Sequence, residues 1–156
     1  MDFHSRVHGV AFTHGRIRST ASGTFPDTQR LATDLATAVM TIEAVPDIRM
    51  FRQNTAAFIH ELGNDCIANV DGDSRYVRVQ VITNASALNR EKQLAVVEQL
   101  TAIVAAAAGD PTLADRTWVL LTEALDGGWG LRGHANTNEE LVLAARAQLA
   151  ELAASE

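Results

Sequence analysis

Residues 118–133 read WVLLTEALDGGWGLRG, an apolar run that ends in four glycines set around one tryptophan. The run reads as a buried strand, and the glycines as a loop whose backbone turns and approaches another surface closely. Trp129 in that loop has two readings, the wall of a pocket or a plug in a neighbouring subunit, and the residues leave both open. Trp118, on the strand itself, reads as core.

The strand has a counterpart. AAFIHEL (56–62) matches WVLLTEA (118–124) in pattern, and their glutamates, Glu61 and Glu123, stand 62 residues apart. Each strand follows a helical pattern. One is capped by Asp27 after Pro26, with Leu31, Leu35, Ala38, Val39 and Ile42 on its buried face. The other is capped by Asn89, again 62 residues on, with Leu94, Val97, Leu100, Ile103 and Val104 expected to face the core. Before the helices come the strand-like VHGVAFTHG (7–15) and YVRVQVIT (76–83), which leaves Arg16 and Arg18 in a loop ahead of the first helix. Equal offsets for cap and strand imply two tandem β-α-β units, each with parallel strands joined by a right-handed crossover.

The expected fold class is therefore α+β, a four-stranded sheet with two helices on one face. One domain spans 1–156, with units at about 1–70 and 71–135 joined by the polar linker GNDCIANVDGDS (63–74). A C-terminal helix follows at about 137–153, where Thr137 and Glu140 have capping-box spacing and Leu141, Ala145, Leu149 and Leu152 share a face. Two helices cover only one side of such a sheet. The other side is an argument for self-association.

Composition narrows the function. Hydrophobic residues make up 47% and charged residues 21%, ordinary values for a packed globular chain. A net charge of −6 excludes general nucleic-acid binding, which needs a basic face to displace counterions. Cys66 is the sole cysteine, so no internal disulfide forms, and a reducing cytoplasm is the expected compartment. The opening MDFHSRVHGVAF lacks a signal-peptide core, and no apolar run is long enough for a bilayer, so no membrane partner is expected. No phosphate loop, dinucleotide fingerprint or zinc spacing is present, so neither cofactor nor metal is expected.

Tandem β-α-β units, with WVLLTEALDGGWGLRG closing the second, resemble the tautomerase superfamily, the 4-oxalocrotonate tautomerase-like proteins. The similarity is greatest to fused two-unit members of the cis-3-chloroacrylic acid dehalogenase and malonate semialdehyde decarboxylase kind. The resemblance implies a homotrimer and a proton-transfer site between units, without cofactor. In that family an amino-terminal proline opens the first strand as general base or acid, arginines hold the substrate carboxylate, and a loop aromatic walls the pocket. Trp129 matches the aromatic, and Arg16 in THGR matches an arginine before the first helix. The proline has no match. Its slot, counted back from HGR, falls near Arg6, and the prolines present are Pro26, Pro46 and Pro111. Thr83, Ser86 and Trp118 stand where family members carry further arginines.

A histidine is the natural substitute for a lost amine, because imidazole titrates near neutrality. His4, His8 and His14 surround the vacated slot, and His14 adjoins Arg16, so a base and an anion holder would face one substrate. Glu123 is a further candidate for proton exchange, although its repetition as Glu61 also fits a structural role. The expected catalytic set is His14, Arg16 and Glu123. The expected substrate-binding set is Arg6, Trp129 and Arg132; Arg6 binds an anion but is no base, since a guanidinium stays protonated. Cys66 has no activating neighbour and reads as inert. The resulting expectation is an isomerase acting on a small or polyfunctional carbonyl or enol compound, by proton transfer, cyclisation or decarboxylation. The alternative is a binding or structural trimer that has lost activity.

Overall fold

The computed structural model describes residues 24–62 and 66–155, together with the backbone of 14–19. In chain order these form β1 (His14–Ser19), α1 (Thr28–Glu43), α2 (Arg49–Asn54), β2 (Ala56–Glu61), β3 (Val77–Asn84) and α3 (Arg90–Ala108). A 3-10 turn (Pro111–Arg116), β4 (Thr117–Ala124), β5 (Trp129–Leu131), β6 (His134–Asn136) and α4 (Asn138–Ala154) follow. The main sheet is ordered β2-β1-β3-β4. Its outer pairs are parallel (His14 opposite Ala56, Val77 opposite Thr117), and the two units meet at the antiparallel pair β1–β3, with Arg16 opposite Gln80. The architecture is α+β, as the repeat implies.

Local chemistry sets the helix ends. Asp27 and Asn89 cap α1 and α3, their side chains accepting from the backbone N–H groups of Arg30 and Lys92 at 2.9 Å. Thr137 and Glu140 form a reciprocal capping box at the start of α4. On β3, Val77, Val79 and Val81 alternate toward the helices and are fully buried. Leu31, Leu35 and Val39 of α1 and Val96, Leu100 and Val104 of α3 pack over them as the main core.

Three expectations need correction. Arg16 and Arg18 lie within β1 rather than in a loop, and β1 continues to Ser19, beyond the expected end at Gly15. Leu94 and Val97 are exposed, because α3 turns its 96-100-104 row inward; its alanine-rich sequence leaves more than one face apolar. Along the shared face of α4, Leu141 and Ala145 are buried and Leu149 and Leu152 lie half in solvent, where the helix runs past the surface it packs on. Trp118 is not core. It is 43% exposed on the sheet face away from the helices, against Tyr76 with ring centroids 4.8 Å apart, while Val119 and Leu121 point to the core.

That outer face also carries Phe58 and Leu120, 48% and 46% exposed. Among the described residues no helix is long and apolar enough to cross a membrane.

Candidate functional site

A second cluster closes the end of the sheet where β1 and β2 begin and β3 and β4 end. Ile48 and Phe51 around α2, Trp129 of β5, and Leu141 and Ala145 of α4 form it, with Ile82 and Ala124 of the sheet packed against it. The glycines after β4 make this possible. Gly127 has φ +80°, and a Cβ on Gly128 would sit 2.9 Å from the Leu125 carbonyl oxygen, which accepts the Gly128 N–H at 2.8 Å. The chain therefore doubles back at once into β5 and drives the Trp129 indole, 8% exposed, into the cluster of its own chain.

The stretch read as a loop is thus a hairpin. Leu131 pairs with His134 across a two-residue turn, Arg132 and Gly133, at φ +53° and +78°. Positive φ at both positions is the type I′ pattern, which favours Asn-Gly; arginine at the first is unusual. Asn136 locks the hairpin by donating from Nδ2 to the carbonyls of Trp129 and His134 at 3.1 and 2.9 Å. His134 Nε2 lies 3.1 Å from Glu140 Oε1. The Glu140 carboxyl is held below its usual range by the Thr137 backbone N–H and then by His134. Asn138, opening α4, donates from its backbone N–H to Asp126 and from Nδ2 to the Ala85 carbonyl, tying the helix to the turn and to the end of β3.

Between α2, the hairpin and α4 lies a cleft of about 570 Å³. Met50, Leu131, Leu141 and Ala147 supply carbon walls, and Arg49, Arg132 and Glu151 supply charge. Each amide around it has one end engaged. Gln148 accepts the Met50 N–H at 2.9 Å, Gln53 accepts from Arg49 Nε at 3.2 Å, and Asn54 donates to the Met50 carbonyl at 2.7 Å. The Arg132 guanidinium has no hydrogen-bond or ion-pair partner among the described residues. A larger groove, about 670 Å³, runs between α1 and edge strand β2, but its charged lining residues, Asp47 and Arg52, pair with each other at 2.7 Å. It offers no free ionic group, so the smaller cleft is the stronger candidate.

Of the residues singled out from sequence, Arg132 lines this cleft and Trp129 lies beneath it, in the cluster that shares Leu141. His14 opens the described part of β1 opposite Ala56, two residues beyond Asn54 on the cleft wall, so its backbone is at the same end of the sheet. Arg16 follows in β1, opposite Phe58 and Gln80. Glu123 is exposed near the end of β4, opposite Thr83, and does not line the cleft. Arg6, His4 and His8 lie outside the described residues. Cys66 is exposed. Among the described residues no three His, Cys, Asp or Glu side chains gather as a metal-binding group.

Sequence reasoning missed Glu43. It is 4% exposed at the last turn of α1, and neither carboxyl oxygen has a hydrogen-bond partner among the described residues. Lys92 Nζ bonds at 2.7 Å to the main-chain carbonyl of Glu43, not to its carboxyl, a favourable cation at a helix C-terminus. Burial pushes the Glu43 carboxyl up to about 8, with Lys92 opposing. Thr83 and Asn84, at the end of β3, likewise bury polar atoms without partners among the described residues. The missed signal was a strict four-residue row, Leu31, Leu35, Val39, whose next member is Glu43.

No family model and no curated protein matches the chain. Solved structures do. A fused 4-OT wild-type symmetric trimer superposes with TM-score 0.67 at 16% identity, over 82% of this chain and 98% of that one. A member of the cis-3-chloroacrylic acid dehalogenase family gives 0.66 at 18% identity, over 90% and 98%. A macrophage migration inhibitory factor-like protein from Entamoeba histolytica gives 0.63 at 14% identity, over 79% and 97%.

Proposed function

We propose that this chain, whose fold is that of the tautomerase superfamily, is a cofactor-independent isomerase that moves a proton on a carbonyl or enol compound. The observation that carries the reading is the Arg132 guanidinium, without a partner among the described residues, on a cleft at the end of the sheet where β1 begins. Removing a proton beside a carbonyl makes an enolate, and a fixed cation beside the developing negative charge lowers the barrier. Arg132 holds the substrate's carboxylate or its developing oxyanion. His14, at the opening of β1, takes the proton from the carbon beside the carbonyl and returns it to the enolate oxygen, giving the enol, or runs the same transfer in reverse, in place of a proline amine. Arg16 in the same strand, and Arg6 upstream of it, add positive charge on the anion. Trp129 acts from beneath, by fixing Leu131 and Leu141.

The assembly in this proposal is a homotrimer. The trimeric fused 4-OT neighbours support it, as do the half-exposed Phe58, Trp118 and Leu120 on one sheet face. Deuterium exchange beside the carbonyl of 2-oxobutanoate and 2-oxodecanoate, followed by proton NMR, tests the activity. Exchange above buffer is expected with at least one acid, falling to the buffer rate in His14→Asn and Arg132→Asn. Buffer-rate exchange of both acids by a folded protein would leave the non-catalytic trimer as the better reading.

A further inference from the structure

From the shape and charge of the hairpin cleft, we infer that its ligand is a monocarboxylate with a long apolar body, and neither a pyruvate-sized acid nor a dicarboxylate. The inference rests on the cleft being the ligand site. Three features of the cleft carry it. First, its volume of about 570 Å³ falls in the roughly 300–1,000 Å³ range of pockets that enclose drug-sized molecules. A short-chain acid would fill only a corner of it.

Second, each amide of the polar lining spends one end on the protein itself. Gln53, Asn54, Gln148 and Asn136 all spend hydrogen bonds on neighbouring groups, and His134 is paired with Glu140. The surface that a ligand meets is more apolar than polar, with carbon from Met50, Leu131, Leu141, Ala144 and Ala147. Each methylene buried there tightens binding by about fourfold.

Third, the charges balance to a single excess cation, with Arg49 and Arg132 against Glu151. One carboxylate satisfies that excess, and a second would leave the cleft with a net negative charge. The turn itself testifies to the role of Arg132. At φ +53° ahead of Gly133, asparagine would suit the backbone better, so the hairpin gives up stability to hold a guanidinium at the cleft mouth.

Calorimetric titration of the full chain with decanoate, butanoate and decanedioate tests this, using ligands whose binding needs no turnover. Decanoate is expected to bind at least about tenfold more tightly than either of the others. Arg132→Asn creates the Asn-Gly pair that type I′ turns prefer, so its thermal midpoint is expected to hold or rise. Decanoate affinity should nevertheless drop about tenfold or more, as loss of a charge-assisted bond implies. Ala147→Phe fills the cleft with both arginines intact and is expected to abolish decanoate binding. Butanoate or decanedioate binding as tightly as decanoate overturns the inference, as does decanoate affinity unchanged in both variants. The two proposals fail separately: exchange of 2-oxo acids without tail preference sinks only this one, and tight decanoate binding without exchange sinks only the enzyme.

Discussion

Glu43 stands where the row Leu31, Leu35, Val39 would next bring an apolar side chain into the interior. Its carboxyl keeps a proton up to about pH 8 in the folded chain, against the ordinary 4.5 when unfolded. Between those values the unfolded chain has released the proton and the folded chain has not, so stability falls as pH rises through the window. The full penalty is present above about pH 8 and absent below 4.5. Urea unfolding across this range should show the decline in the parent and a flatter profile in Glu43→Gln. The variant should gain on the order of a few kcal/mol over the parent at the alkaline end, and parallel profiles would refute the buried neutral acid. Trp129 belongs to the same scale. Trp129→Ala should cost about 3–5 kcal/mol, a core truncation, measured by urea unfolding. A loss confined to ligand binding, at unchanged stability, would mean that the indole is no part of the cluster. The sequence announced Trp129 as important but not which surface it meets, because a residue after tight glycine turns takes its direction from the turn geometry.

Among the elements, α1, α3, α4, β2, β3 and β4 were legible because each has a cap or a sustained periodic pattern. The others were hidden by brevity. Six residues of α2, RMFRQN, and three in each strand of the hairpin are too few for a period to emerge. In β1, Arg16 and Arg18 flank Ile17, while the preceding VHGVAF is richer in apolar residues and drew the expected strand upstream. The candidate site takes two of its three walls, α2 and the hairpin, from elements hidden in this way, so of the residues expected to do chemistry only Arg132 and Trp129 line or underlie it. Gly128→Ala tests the element that builds it. The added methyl collides with the Leu125 carbonyl at 2.9 Å, which should cost about 1–3 kcal/mol as overpacking. Decanoate binding should fall with it, since β5 can no longer double back. A variant with parental stability and binding would show that the turn is not rigid.

For the whole molecule, the uncovered sheet face could be deduced from the count of helices against strands, whereas its composition could not. Trp118 was expected inside, because an apolar run gives no sign of which alternate positions face the helices. Trp118, Leu120 and Phe58 together leave a partly exposed apolar surface that a monomer has little reason to keep. Sedimentation at micromolar concentration should give the mass of a trimer. Trp118→Glu combined with Leu120→Glu should shift the protein to monomer with its helical circular dichroism retained. A monomeric parent would remove the assembly from the proposal.

The position of β1 in the middle of the sheet bears on how the chain reaches its native state. Strand β1 finds its partners only at Ala56 and beyond on one side and around Gln80 on the other, and no tight hairpin links any strands of the main sheet. Such long-range closures come late and slowly in folding, because loop entropy must be overcome before they are rewarded. During synthesis the first strand emerges well before either neighbour that will flank it. The exposed edge it offers in that interval makes the nascent chain prone to aggregation. Soluble yield should therefore rise when expression is slowed by cooling, and refolding should lag that of a helical bundle of equal length.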